Sequence, residues 1–347
     1  MTKNKILYLL IFILIIWCVI LTSILSSKNN NPNVQPIGEY YVSGISTDLT
    51  KIVNDKKSSI VTINANNNLS TGFVYRQVDN DVYILTSYHG IGDNPISVVF
   101  ASGYTSEATL IGYDLYCDLA VIKIDSPYNI DCLKLANTNE CKAGEFVISI
   151  GTPISLEYDH SIELGIISNP LRSIENSITI EKDKYIYYQD VIQLSSNLKP
   201  GYSGSPLINN AGYVIGMTTM SLNNQINFAI TSNEIERVAN SIIDNTYKPK
   251  VLLGFTGMYI ENMESYEKNN LNIYVDIING VYIKKVLDNS ISFNAGLRNG
   301  DVLISINEHT INNFNEYLDI IYSDATSFEF QIIRDSQTIT LKASLDD

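Results

Sequence analysis

Residues 198–217 read LKPGYSGSPLINNAGYVIGM, and the central GYSGS decides what the chain can be. Gly201 and Gly204 bracket Tyr202–Ser203, and two glycines let a turn tighten until one hydroxyl and nearby backbone N–H groups face the same point. Acyl transfer needs that combination: a serine oxygen attacks a carbonyl, and preorganised N–H donors hold the oxyanion that forms. Pro206–Leu207 and the turn Asn209–Gly212 then lead into an apolar strand, Tyr213–Met220. A bland Gly-Ser turn lacks this whole context.

A serine hydroxyl needs a base. Residues 83–91, YILTSYHGI, end an apolar strand at His89, while His160 and His309 sit in less pointed settings. Residues 112–124, GYDLYCDLAVIKI, place Asp118 directly before the apolar run Leu119–Ile124. A carboxylate at the edge of a buried strand is costly unless a donor meets it. Taken singly, a turn His is usually a surface residue, and a strand-start Asp is usually satisfied by backbone N–H groups.

These segments resemble the HtrA/Deg family of chymotrypsin-like proteases. Family members commonly read N-P-G-N-S-G-G-P-L around the nucleophile, I-L-T-N-x-H-V-I at the His and D-x-x-x-D-L-A-V-L-K-I at the Asp. ELGIISNPLR, residues 163–172, and INFAI, residues 226–230, match two further family stretches. The resemblance runs from about Ser46 to the C-terminus. It implies a mainly β fold, a double β-barrel protease domain over 46–246, with Ser203 as nucleophile, His89 as general base and acid, and Asp118 orienting His89. It also implies that the N–H groups of Gly201 and Ser203 form the oxyanion hole, and it calls for no cofactor and no metal.

The chain departs from the family pattern at a few places. Ser205 replaces a usual Gly, as in glutamyl endopeptidases of the same fold, and Tyr202 replaces a common Asn or Asp. Gly90 stands where Val is common and is expected to loosen the packing beside His89. Asn197 lies six residues before the nucleophile, at the expected base of the primary pocket, with Leu198 beside it. Without a carboxylate there, the pocket is expected to take a small or medium apolar side chain.

Downstream, residues 280–311, GVYIKKVLDNSISFNAGLRNGDVLISINEHTI, resemble the PDZ domains that follow HtrA proteases, giving an α+β domain over 251–345. VLLGFTG, residues 251–257, looks like the carboxylate-binding loop, so Leu253, Gly254 and Phe255 are expected to hold peptide C-termini. Residues 231–245, TSNEIERVANSIIDN, show helical spacing and close the first domain, and YKPK, residues 247–250, reads as a hinge.

The first 27 residues differ in kind. Ile6–Leu25 is uncharged and apolar, long enough as a helix to span a bilayer, and Lys3 and Lys5 precede it. The expectation is a single-pass membrane anchor in contact with lipid, an Asn- and Pro-rich linker over 28–45, and the remaining domains outside the cytoplasm. A cleaved signal peptide competes with this reading, but the apolar run is long for one. A net charge of −14 without a basic run argues against nucleic acid as a partner. Cys132 and Cys141 are near enough in sequence to pair, though spacing cannot prove it. The resemblance further implies polypeptide substrates, misfolded or exposed, and a homo-oligomer, a trimer, with Tyr40 and Tyr41 as contacts. The competing class is a scaffold whose barrel is a poor catalyst and whose PDZ domain carries the function.

Overall fold

The first hairpin shows how local sequence sets the architecture. Strand β1 (Ile60–Ala65) turns through Asn66 and Asn67 into β2 (Asn68–Val78), and both turn residues have positive φ, at 53° and 66°. Asn tolerates that region, and a two-residue turn of this hand matches the natural twist of paired strands. Buried Val61, Ile63 and Ala65 alternate along β1, setting the face that β2 must cover.

This computed structural model describes residues 49–92, 94–180, 183–222, 226–273 and 277–345. The apolar run Ile6–Leu25, the linker and Tyr40–Tyr41 lie outside the described residues. Among the described residues, no helix is long and apolar enough to cross a membrane.

After β1 and β2 come β3 (Asp81–Ser87), β4 (Ile96–Phe100), β5 (Thr105–Asp114) and β6 (Leu119–Asp125), which close a barrel in the order β1-β2-β3-β6-β5-β4. A second barrel closes as β10-β11-β12-β9-β8-β7, from β7 (Phe146–Gly151), β8 (Ser161–Ile180), β9 (Asp183–Leu194), β10 (Pro206–Asn209), β11 (Val214–Leu222) and β12 (Ile226–Thr231). Full closure leaves neither sheet with an open edge. Between the barrels, Phe73, Leu85 and Val121 share one core with Ile148, Ile150, Met217 and Ile230. A helix, Ser232–Ile243, packs Ile235, Val238, Ala239 and Ile242 onto the same core. Its start is capped by Thr231, whose side chain accepts the Glu234 N–H.

Two features depart from the sequence pattern. Strands β8 and β9 form a hairpin far longer than its apolar alternation suggests, because register shifts at Ile167, Asn169 and Arg172 break the period. Leu171 from this hairpin joins the core of the C-terminal domain, and Glu175 pairs with Lys285 at 3.1 Å. The short strand β10 is hidden in sequence by Pro206 and the adjoining loop. The disulfide that the sequence left open between Cys132 and Cys141 is not formed.

The C-terminal domain is a sheet ordered β13-β14-β15-β17-β18, with β16 paired to β15. These strands are β13 (Phe255–Tyr259), β14 (Val281–Val286), β15 (Val302–Ile306), β16 (His309–Thr310), β17 (Ser327–Arg334) and β18 (Gln337–Ser344). A helix, Phe314–Ile321, lays Phe314, Leu318 and Ile321 on this sheet. The intervening segment Tyr247–Lys250 is held at both ends: Tyr247 packs on the barrel core, and Lys250 meets Glu234 at 2.8 Å with both side chains buried.

Candidate active site

His89 sits in the single helical turn Tyr88–Ile91 that follows β3. The backbone of this turn is pinned by one residue, because the Tyr88 N–H donates to Asp118 O at 3.1 Å and the His89 N–H to Asp118 Oδ1 at 2.8 Å. Asp118 adopts φ +59°, an uncommon conformation that turns its side chain and carbonyl toward the histidine together. Four residues earlier, fully buried Asp114 holds that turn in shape, its Oδ1 accepting the N–H groups of Tyr116 at 2.7 Å and Cys117 at 3.0 Å.

The side chains then line up. Asp118 Oδ2 meets His89 Nδ1 at 2.6 Å, and His89 Nε2 meets Ser203 Oγ at 3.0 Å. Both distances lie in hydrogen-bond range, so the imidazole bridges a carboxylate and a hydroxyl. Burial works against a charged imidazole here, but the hydrogen bond to Asp118 and its negative charge overcome this and raise the His89 pKa above the ordinary histidine value. Thr219 on β11 also donates its hydroxyl to Asp118 Oδ2. Nothing local in the sequence marks Thr219 apart from its place on the strand after the nucleophile loop; closure of the second barrel brings it there.

The nucleophile loop is built from forced glycines. A Cβ on Gly201, at φ +102°, would lie 2.1 Å from Thr152 O, and one on Gly204, at φ +85°, would lie 2.0 Å from Thr71 O. The N–H groups of Tyr202, Gly204 and Ser205 are spent on Lys199 O, Thr218 O and Tyr202 O. Among the described residues, the N–H groups of Gly201 and Ser203 find no acceptor within the chain. Two donors in the nucleophile loop are therefore unspent.

Ser205 is buried and faces Gly151, where a Cβ would come within 2.4 Å of its hydroxyl. It therefore fills space beneath the loop. Gly90, expected to loosen the packing, is instead tightly enclosed: a Cβ there would lie 2.8 Å from Ser70 Cβ, and its carbonyl accepts Asn68 Nδ2 at 2.7 Å.

Asn197 is exposed on the loop after β9, with its N–H on Glu163 Oε1 at 3.2 Å, and Leu198 beside it is half-buried. The adjoining Ser196 is buried, with its carbonyl held by Asn227 Nδ2 at 2.7 Å.

In the C-terminal domain, Leu253 is fully buried, Gly254 has φ +83°, and Phe255 opens β13. A Cβ at Gly254 would lie 2.1 Å from Ser290 Cβ. These residues border a cavity of about 20 Å³ shared with Tyr317 and Lys250. Tyr188, Asp190 and Glu234 of the barrel domain close its other side.

Comparison with known proteins accords with this architecture. Residues 70–217 match the family model for a trypsin-like peptidase domain, and residues 248–320 match the PDZ domain model. A serine protease Do-like HtrA of Lactobacillus helveticus is 30% identical over 287 residues, covering 80% of this chain and 68% of the relative. A serine protease HtrA-like protein of Staphylococcus haemolyticus is 27% identical over 343 residues, 92% of this chain and 53% of its own length. The Do-like HtrB of Bacillus subtilis is 29% identical over 285 residues, 79% of this chain and 61% of the relative. This chain thus spans little more than half the length of the latter two relatives. Among solved structures, the HtrA-type protease AlgW with a tripeptide gives a TM-score of 0.59 at 22% identity, covering 85% of this chain and 95% of that one. The serine endoprotease of Yersinia pestis gives 0.53 at 24% identity, covering 87% and 98%. At such identities the structural likeness speaks for the fold alone. Two family models in the expected order, together with the relative from Lactobacillus helveticus, establish that the chain belongs to the HtrA/Do-like family of serine proteases.

Proposed function

We propose that this chain is a serine endopeptidase that cleaves exposed or misfolded polypeptide through His89, Asp118 and Ser203. The observation that carries the reading is the alignment of His89 between its two partners, with 2.6 Å to Asp118 and 3.0 Å to Ser203. With Nδ1–H donated to Asp118, the neutral ring leaves Nε2 free to accept the Ser203 proton as the oxygen attacks the substrate carbonyl. Asp118 stabilises the imidazolium that results, and the ring then returns the proton to the leaving amine. The developing oxyanion is met by the N–H groups of Gly201 and Ser203, which have no competing acceptor among the described residues. No step in this sequence calls for a cofactor.

The anchor Ile6–Leu25, retained or cleaved, would place this chemistry outside the cytoplasm. The PDZ domain is assigned to peptide C-termini, with the N–H groups of Gly254 and Phe255 as carboxylate donors. An amidated peptide should therefore lose the affinity of its free-acid counterpart in a calorimetric titration. Equal affinities would refute the carboxylate assignment.

A fluorophosphonate probe, applied with substrate peptide present, tests the catalytic reading. Wild-type protein should label covalently and Ser203→Ala should not. A folded wild type that never labels would favour the scaffold class instead.

A further inference from the structure

We propose that Thr71 is a positioning residue for the oxyanion site, acting from the first barrel on the nucleophile loop of the second. This rests on the serine-hydrolase reading above and deepens it. Thr71 lies on β2, fully buried. Its hydroxyl donates to Gly201 O at 2.7 Å and accepts the Thr152 N–H at 3.0 Å. Its backbone N–H donates to Ser203 O at 2.9 Å, and its own carbonyl accepts Thr86 Oγ1 at 2.7 Å. A residue about 130 positions upstream of the loop thus holds the carbonyls on either side of Tyr202.

The consequence follows from peptide planarity, because a C=O and the next N–H point in opposite directions in one rigid plane. The Gly201–Tyr202 plane is fixed at both ends, by Thr71 on the carbonyl and Lys199 O on the amide. The Pro200 carbonyl accepts the Ile154 N–H at 3.0 Å, so the Gly201 N–H is turned away from Ile154. Segment 152–154 is itself held by Thr71 through the Thr152 N–H. The Tyr202 carbonyl accepts Thr218 Oγ1 and, at 2.8 Å, the Ser205 N–H, so the Ser203 N–H in the same plane points away from both. Gly201 has no side chain to resist rotation, and its positive φ is open to glycine in more than one arrangement. The Thr71 hydroxyl therefore fixes the peptide after Gly201 directly, and acts on the one that carries the Gly201 N–H through segment 152–154.

The test compares Thr71→Val, which keeps the shape and removes the hydroxyl, with Thr71→Ser, which keeps the hydroxyl. Each is measured for kcat and KM on a chromogenic peptide, for the pH profile and for thermal unfolding. Losing one oxyanion donor costs about 10²–10³ in kcat, so Thr71→Val should fall by about 10² with KM within about threefold. Thr71→Ser should retain kcat within about threefold. The acid limb of the profile should stay in place, because Thr71 touches neither His89 nor Asp118. With kcat referred to the sites that fluorophosphonate titrates, a merely structural role would lower the melting temperature and the number of those sites but leave kcat per site near wild type. The proposal is overturned by a folded Thr71→Val with wild-type kcat. If the valine variant does not fold, a folded Thr71→Ser that loses about tenfold or more in kcat overturns it equally. Failure of the wild type to label with fluorophosphonate would sink the hydrolase reading itself. A labelled wild type alongside an indifferent Thr71→Val would sink only this one.

Discussion

Replacing Asp118 with Asn exchanges one oxygen for an amide nitrogen, and the structure decides where that nitrogen goes. Asp118 Oδ1 accepts a fixed donor, the His89 backbone N–H at 2.8 Å. The amide oxygen of the substituted side chain must therefore stay on that side, which puts its NH2 against His89 Nδ1, where Oδ2 now lies at 2.6 Å. An NH2 can only donate there, so the imidazole must carry its proton on Nε2, facing Ser203. That tautomer cannot take the serine proton. In a serine protease with the same triad, this kind of change lowers kcat by about 10⁴, or about 5 kcal/mol of transition-state stabilisation. The pH profile adds a sign. In the wild type, burial lowers the His89 pKa, but the hydrogen bond and charge of Asp118 raise it further, to a net value above 6.5. Activity needs the neutral ring, so kcat/KM should fall as pH drops through a midpoint above 6.5. Asp118→Asn leaves only the lowering effect, and its acid limb should move to lower pH. The charged pair contributes folding stability that is complete below 6.5 and is lost as pH rises through the raised value. The assay is initial-rate hydrolysis of a peptide substrate from acid to mildly alkaline pH, with circular dichroism confirming the fold. A folded Asp118→Asn variant within about tenfold of wild-type kcat/KM at neutral pH would refute the tautomer argument.

Gly201→Ala should reduce kcat by about 10² or more, because its Cβ would lie 2.1 Å from Thr152 O and the loop must move. Gly144→Ala is the comparison: at φ +92° it has nothing within 4 Å of its Cβ, so it should cost only about 1–2 kcal/mol of stability and leave kcat alone. Equal kinetic losses in the two variants would show that positive φ, not the Thr152 contact, is what matters. Lys250→Met should cost about 3–5 kcal/mol in urea unfolding, since it strands a buried Glu234 carboxylate. Lys250→Met with Glu234→Leu should recover much of that loss, and a double mutant as unstable as the single one would contradict the pairing.

Much of the site was legible because its signals are local. The apolar run after Asp118, the strand before His89 and the glycines around Ser203 each announce their own backbone conformation over a few residues. Positive φ at Gly201 and Gly204 follows from what only glycine tolerates. The positive φ of Gly254 follows from the same rule. The role of Gly90 was misread, because what encloses it is Ser70 on a different strand.

By itself, then, the order of residues pointed to a mainly β chain with a protease-like and a PDZ-like segment, and singled out His89, Asp118 and Ser203, which the fold brings within hydrogen-bond reach. Barrel closure decided the rest. Thr219 reaches Asp118 across 101 positions, and Thr71 reaches Gly201 across 130. Tyr322 of the PDZ domain meets Asp114, at the head of the Asp118 turn, across 208. A hydrogen bond between such residues leaves no periodicity in the chain. It exists only once strands far apart in sequence have been brought to a separation of a few ångströms by the burial of their apolar faces.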